Sequence, residues 1–353
     1  MQRTAKAKGG RRMQYRILSS AVAAVLMAAV SARAETTVVF NNYLSEQNEI
    51  MRNVIRPWAD AVEQASNAEV KIDFTASSMA PPPRQLEMIR SGVADAAMNI
   101  SSFTASQWIA PIIAELPVLF EADSAEQHSV ALWRTYEKYF REAENIEGVH
   151  VVALFALSGN HVWNNKRPIK ELADAHGIKL RVNPNGTAVV EAMGGVVISR
   201  PAVESFEIIT RGVADGTVLP ISSVEGLGVL KELKCATLYP GSLYRSTGSI
   251  VFNRGFWDSI PDAEKTAIEK VSGEALARLG GANLDRATEE TRAKLQDAGV
   301  DVFEADMGQI EALRESKPVV AAIEEWKARA ADLGLDADEV IEFYREQLQQ
   351  AQN

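Results

Sequence analysis

The sequence predicts an α/β fold made of two α/β units in succession, followed by a helical tail. Three observations predict it. Between residues 36 and 100, short β-branched runs alternate with amphipathic segments. The same alternation returns between residue 160 and about residue 250. From Pro261 onward, helical spacing takes over.

Thr36 to Asn41 reads as the first strand of the mature chain. Glu49 to Ala65 has helical spacing, with Ile50, Val54, Trp58 and Val62 on one face, and Val70 to Thr75 reads as a second strand. Pro81-Pro82-Pro83 lacks backbone donors and predicts a stiff loop without regular structure. Gln85 to Ser91 reads as a short helix ended by Gly92, and Ala94 to Ile100 as a third strand. This β-α-β-α-β order predicts a parallel sheet with helices on its faces. Glu115-Leu116-Pro117-Val118-Leu119-Phe120 reads as an apolar loop in the first core, Ser124 to Phe140 as a long helix, and Val151 to Leu157 as a strand ending at Ser158-Gly159-Asn160. The second unit reads as Lys179–Val182, a helix near Thr187–Met193, Val196–Ile198, a helix at Val203–Arg211, and Ala214–Val218. Ser249 to Asn253 is a further strand. Pro261 to about Gln296 is a long helical stretch weakened at Gly280-Gly281, and Trp326 and Phe343 are the expected anchors of the polar tail.

The chain has 353 residues, 46% hydrophobic and 24% charged, enough for an ordinary globular core. Residues 1–34 stand apart. They combine a basic head, an apolar run from Ile17 to Val30 and Ala32-Arg33-Ala34, which together read as a cleavable secretory signal. Met13 is an alternative start, and Arg11-Arg12 leaves the Sec or Tat route open. These 34 residues hold seven basic side chains and no acidic one. Their removal leaves 30 basic against 47 acidic residues, a net charge of −17. Such a chain is a poor partner for nucleic acid or an anionic membrane, and no membrane insertion of the mature chain is expected. With Cys235 as the single cysteine, no intramolecular disulfide forms, and a buried, inert thiol is the expectation.

The chemistry concentrates between Gly177 and Gly216. A strand burying Ile178, Leu180 and Val182 points Lys179 and Arg181 the other way. Two readings of Arg181 are open: a solvated surface charge, or a guanidinium fork at the edge of a cleft, matched to a carboxylate. His128, His150, His161 and His176 show no zinc spacing. No phosphate loop, dinucleotide fingerprint or nucleophile elbow is present. No catalytic residue, metal or cofactor is therefore expected.

Several segments, taken in order, resemble the solute-binding subunit of tripartite ATP-independent periplasmic (TRAP) transporters, the DctP-like family. They are Asn41-Asn42 after the first strand, the proline loop ahead of Gln85, and Gly92-Val93-Ala94-Asp95. Glu115-Leu116-Pro117, Gly177-Ile178-Lys179-Leu180-Arg181-Val182, Glu204 and Val213-Ala214-Asp215-Gly216 with Pro220 complete the set, over roughly residues 36 to 345. The resemblance implies a two-lobed periplasmic binding protein fold with a ligand cleft between the lobes and a long helix spanning both. Its expected division is 1–34 signal peptide, 35–157 first lobe (completed by segments after about 250), 158–250 second lobe, and 251–353 spanning and C-terminal helices.

The resemblance also implies periplasmic capture of a small organic acid for delivery to TRAP membrane permease subunits, with Arg181 holding the ligand carboxylate. By the same resemblance Asn42, Pro82, Gln85, Asn99 and Phe206 face the ligand. Three departures bear on specificity. His161 stands where sialic-acid-binding members carry a second cleft arginine, Leu219 stands where they carry asparagine, and Asn183 separates Arg181-Val182 from Pro184. A less polar pocket follows, suited to an apolar or aromatic monocarboxylate or a 2-oxo acid, with a sulfonate still open. The competing reading is an exported enzyme acting on an organic acid in the same cleft.

Overall fold

The computed structural model describes residues 35–351, so the export signal expected at 1–34 lies outside the described residues. Ten strands form one mixed sheet: β1 Thr36–Asn41, β2 Val70–Phe74, β3 Ala96–Ile100, β4 Val149–Asn164, β5 Lys179–Val182, β6 Val196–Ser199, β7 Gly216–Pro220, β8 Cys235–Leu238, β9 Arg245–Asn253 and β10 Asp301–Glu304. The spatial order is β2-β1-β3-β9-β4-β7-β5-β6, with β8 paired to β4 and β10 paired to β8.

The parallel β2-β1-β3 and β6-β5-β7 sets match the alternation of strand and helix in the sequence. Between these two parallel sets, β9 and β4 enter antiparallel. Ser158-Gly159-Asn160 does not end a strand. β4 pairs with β9 as far as Gly159 and then with β7 and β8, so it carries one backbone through both halves. A register shift between Ala156 and Gly159 marks the crossing. A Cβ at Gly159 would lie 2.3 Å from the Ser242 side chain, so only glycine admits that approach.

Each half buries both sheet faces. In the first half, one face packs Phe40, Trp58, Phe252 and Leu284, and the other packs Trp108, Ile113, Phe140, Trp326 and Tyr344. In the second, Val162, Leu180, Val182 and Val218 lie on one face and Trp163, Ile221 and Leu238 on the other. Each fully buried large apolar side chain contributes about 1.5–3 kcal/mol. Within the loop 115–120, Leu116 and Phe120 join the first core as expected, but Val118 packs with Val162 and Leu180 in the second. Tyr344 is the tail's buried anchor beside Trp326, while Phe343 is half-buried against Tyr139.

The helix predicted after Glu49 opens with a wide turn, Met51–Ile55, and continues as Arg56–Ala65, burying Val54, Trp58 and Val62. The prolines do not exclude regular structure: Pro82–Arg84 makes one 3₁₀ turn leading into the helix Gln85–Arg90, where the missing donors are not needed. The long stretch after Pro261 divides into Asp262–Val271 and Gly273–Arg292. Its break falls at Ser272-Gly273, where Gly273 takes φ +55° and Ser272 Oγ accepts from Trp58 Nε1 at 2.9 Å. Gly280 and Gly281 stay helical. A Cβ on Gly281 would reach within 2.3 Å of Glu126 Cα, so this glycine lets the long helix press against Ala125–Thr135, while Gly280 faces Val54. Among the described residues, no helix is long and apolar enough to cross a membrane.

Candidate functional site

One cavity draws its walls from both halves of the sheet, as open α/β sheets commonly do near their strand ends. It holds about 620 Å³ of space free of protein atoms, part of it open to solvent. Ile50, Ile100, Phe103, Leu157, Leu219 and Leu227 make most of its surface apolar.

Arg181 supplies the cation. Alternation on β5 puts Leu180 and Val182 into the core and turns Arg181 to the opposite face, where it is only 3% exposed. Its Nε donates to the Arg200 carbonyl at 2.8 Å, and Nη1 reaches the Val218 carbonyl at 3.5 Å. Among the described residues, no carboxylate forms an ion pair with it. Burial draws its pKa down to about 10, opposed by Tyr244 and Glu204, so the group stays cationic at neutral pH. A buried charge without a counter-ion is costly, and the guanidinium lines a cavity where an anion can supply one.

Asn183 also lines the cavity, and its side chain is spent locally: Oδ1 accepts from Gly186 N–H and Nδ2 donates to Ser246 Oγ, both at 3.0 Å. Tyr244 closes the wall near Arg181. A Cβ on Gly186 would lie 2.4 Å from the Tyr244 ring, so glycine there lets the ring in. Asn160 donates to the Tyr244 carbonyl at 3.1 Å from β4.

Of the residues expected at the ligand, the fold brings Arg181, Asn183, Leu219 and Pro82 to this cavity. The others sit elsewhere. Asn42 folds back on the Leu44 backbone, donating to its carbonyl and accepting from its N–H. Gln85 is fully buried and holds the proline loop through Ala80 O at 2.7 Å while accepting from Asn41 Nδ2 at 2.8 Å. Asn99 is fully buried and donates to Thr104 Oγ1. Phe206 is 48% exposed, and Pro201, Ala202 and Val203 line that edge in its place.

His161 lies on a separate groove with Asp123, Asp285 and Arg292, its Nδ1 accepting from the Tyr239 N–H at 3.1 Å. Burial, reinforced by the charges of Arg292 and Arg245, drives its pKa down to about 3. The neutral ring therefore lacks the charge that a second cleft cation would need. Cys235 is buried, as expected.

Sequence reasoning missed Tyr43, Glu49, Asn160, Ser223 and Tyr244, all of which line the cavity. Glu49 is the most consequential. It is 6% exposed, its Oε1 accepts from Ser223 Oγ, and burial raises its carboxyl pKa, opposed by the neighbouring Ser222 and Ser223 hydroxyls. The cavity thus holds one buried cation and one buried carboxyl in largely apolar walls.

Comparison with known proteins gives this arrangement a setting. Residues 40–326 match the model of the DctP family, described as bacterial extracellular solute-binding protein, family 7. A protein of Comamonas testosteroni named outer membrane transporter protein TsaT is 31% identical over 335 residues, covering 94% of this chain and 97% of its own. A TRAP periplasmic solute-binding protein of Bordetella bronchiseptica, solved with bound (R)- and (S)-mandelate, superimposes with a TM-score of 0.84 at 26% identity, covering 89% of this chain and 99% of that one. A marine metagenome TRAP solute-binding protein from an unidentified microbe, described as specific for aromatic acid ligands, superimposes with a TM-score of 0.81 at 22% identity. That match covers 90% of this chain and all of the other, and it supports the two-lobed fold alone.

Proposed function

The chain belongs to the bacterial extracellular solute-binding proteins of family 7, the substrate-binding components of TRAP transporters, which are not enzymes, and from that premise we propose that it captures a small aromatic monocarboxylate anchored by Arg181. The family acts outside the cytoplasm, binding small organic acids and working with membrane permease subunits. The observation that carries the finer reading is the guanidinium of Arg181, 3% exposed, without a carboxylate partner among the described residues, and facing a largely apolar cavity. A planar carboxylate satisfies the fork, and an aromatic body fills the apolar walls. The mandelate-bound relative supports the same ligand class. Residues 1–34 act as the export signal in this reading, with mature protein beginning at Glu35. In this reading the first lobe is residues 35–157, completed by segments after about 250, the second is residues 158–250, and residues 251–353 supply the spanning and C-terminal helices.

A thermal-shift panel tests the ligand class, because a ligand bound only by the folded state stabilises it by about 2.7 kcal/mol at 100 times its Kd. Benzoate, phenylacetate and mandelate should raise the melting temperature, while benzamide and benzyl alcohol at equal concentration should not. A panel in which the neutral analogues shift the transition as far as the acids, or in which no acid shifts it, would reject the reading.

A further inference from the structure

The cavity has a second set of polar groups that the Arg181 anchor does not use. Glu49 Oε2 and the Tyr43 hydroxyl are both buried and have no hydrogen-bond partner, and both residues line the cavity from the first half of the fold. Glu49 Oε1 is already held by Ser223 from the other half, so the carboxyl is fixed in place with one oxygen unpaired. Arg181 enters the cavity from β5, bonded to the Arg200 carbonyl, whereas Glu49 is bonded to Ser223, so the two buried ionisable groups are held by different elements. Buried polar atoms without partners are uncommon, and two on one wall of a ligand cavity point to a group that completes them on binding.

We propose that Glu49, assisted by Tyr43, is a specificity-determining residue that selects an acid bearing a hydroxyl distal to its carboxylate and rejects a second carboxylate there. The proposal rests on the carboxylate-binding reading above. A hydroxyl both donates and accepts, so it pairs with Glu49 Oε2 whether that carboxyl is ionised or protonated, and with the Tyr43 oxygen in either sense. A second carboxylate only accepts. With Glu49 ionised, it meets an acceptor of like charge. An unsubstituted ring leaves both protein oxygens buried and unpaired.

Calorimetric titration with a matched set of acids tests this: benzoate, 3- and 4-hydroxybenzoate, and the 1,3- and 1,4-benzenedicarboxylates. The parent protein should bind the better hydroxybenzoate at least about tenfold more tightly than benzoate, the equivalent of completing one buried hydrogen bond. It should bind both dicarboxylates more weakly than benzoate. Glu49→Leu should bring the hydroxybenzoates to within about threefold of benzoate, the hydroxyl having lost its main partner. Glu49→Gln, which supplies an amide donor, should retain most of the hydroxyl preference and improve dicarboxylate binding. Tyr43→Phe, a milder change should the Glu49 variants fold poorly, should weaken the hydroxyl preference without affecting benzoate. Hydroxybenzoates and benzoate binding the parent equally, or a hydroxyl preference surviving both Glu49→Leu and Tyr43→Phe, would overturn the assignment and leave the carboxylate anchor standing. Failure of every acid to bind the parent would overturn both.

Discussion

Replacing Arg181 with methionine separates the binding role of the buried cation from any structural one. Burial draws the arginine's pKa from 12.5 to about 10. At about 1.36 kcal/mol per pK unit, the folded, unliganded protein is destabilised by roughly 3 kcal/mol through carrying this charge. The folded pKa lies below the unfolded one, so that destabilisation is fully present at neutral pH and is relieved only above about pH 10. Methionine keeps an unbranched apolar stem and removes the charge. It also strands the Arg200 carbonyl, which accepts at 2.8 Å, a loss of about 1–3 kcal/mol, whereas the 3.5 Å contact to Val218 contributes little. The balance lies between neutral and about 2 kcal/mol in favour of methionine. For a domain this size, that is a melting temperature unchanged or raised by several degrees, at about 2–4 °C per kcal/mol. Scanning calorimetry of the unliganded protein at neutral pH measures it, with circular dichroism to confirm the fold. A fall of more than about 4 °C would refute the reasoning, since it requires Arg181 to have a structural partner that stabilises its charge.

Three further outcomes follow from the packing. Glu115, held by Thr247 and Asn185, has its pKa raised to about 7 by burial, so the wild-type protein should lose stability as pH climbs from about 4.5 through about 7; in Glu115→Gln that slope should flatten in thermal scans across the same window. Gly281→Ala should lower the melting temperature, because a Cβ 2.3 Å from Glu126 Cα demands about 1–3 kcal/mol of repacking, against about 1 kcal/mol of helix propensity gained; an equal or higher value would contradict the close approach. His161→Gln should leave the pH profile of ligand affinity superimposed on the parent's between about pH 5.5 and 8, since the parent ring is already neutral there; calorimetric titrations showing a changed slope would place His161 at the ligand.

What could be read from the sequence was local and periodic. β1 is found where its β-branched run predicts it, and Arg181 faces away from Leu180 and Val182 because strand alternation requires it. The sequence ends β4 too early because Ser158-Gly159-Asn160 has the composition of a turn. Its true role, admitting Ser242 against a continuing strand, depends on a partner more than eighty residues away in sequence. β8 and β10 are only four residues each, too short to carry a periodic signal, and they pair directly although the long helix separates them in sequence.

The site divides the same way. Arg181 stands out as a charge on an apolar strand. Glu49 looks like an ordinary acid at a helix start, and only the tertiary contact with Ser222 and Ser223 buries it. Only its position along the chain points His161 at the ligand. Its ring instead meets the Tyr239 backbone, a contact that no spacing reveals.

The central claim is that a ligand carboxylate is the missing counter-ion of Arg181, and calorimetric titration of Arg181→Ala and Arg181→Lys with the acid that binds the parent best tests it most directly. Truncating one partner of a desolvated pair removes about 2–5 kcal/mol, or roughly 30-fold to several-thousand-fold in affinity. Arg181→Ala should therefore bind at least about 30-fold more weakly, and Arg181→Lys should fail to recover most of the loss, because an ammonium cannot present two coplanar donors. A well-folded Arg181→Ala that binds the same acid within about threefold of the parent, far short of the loss expected for such a pair, would place the anchor elsewhere and contradict the account.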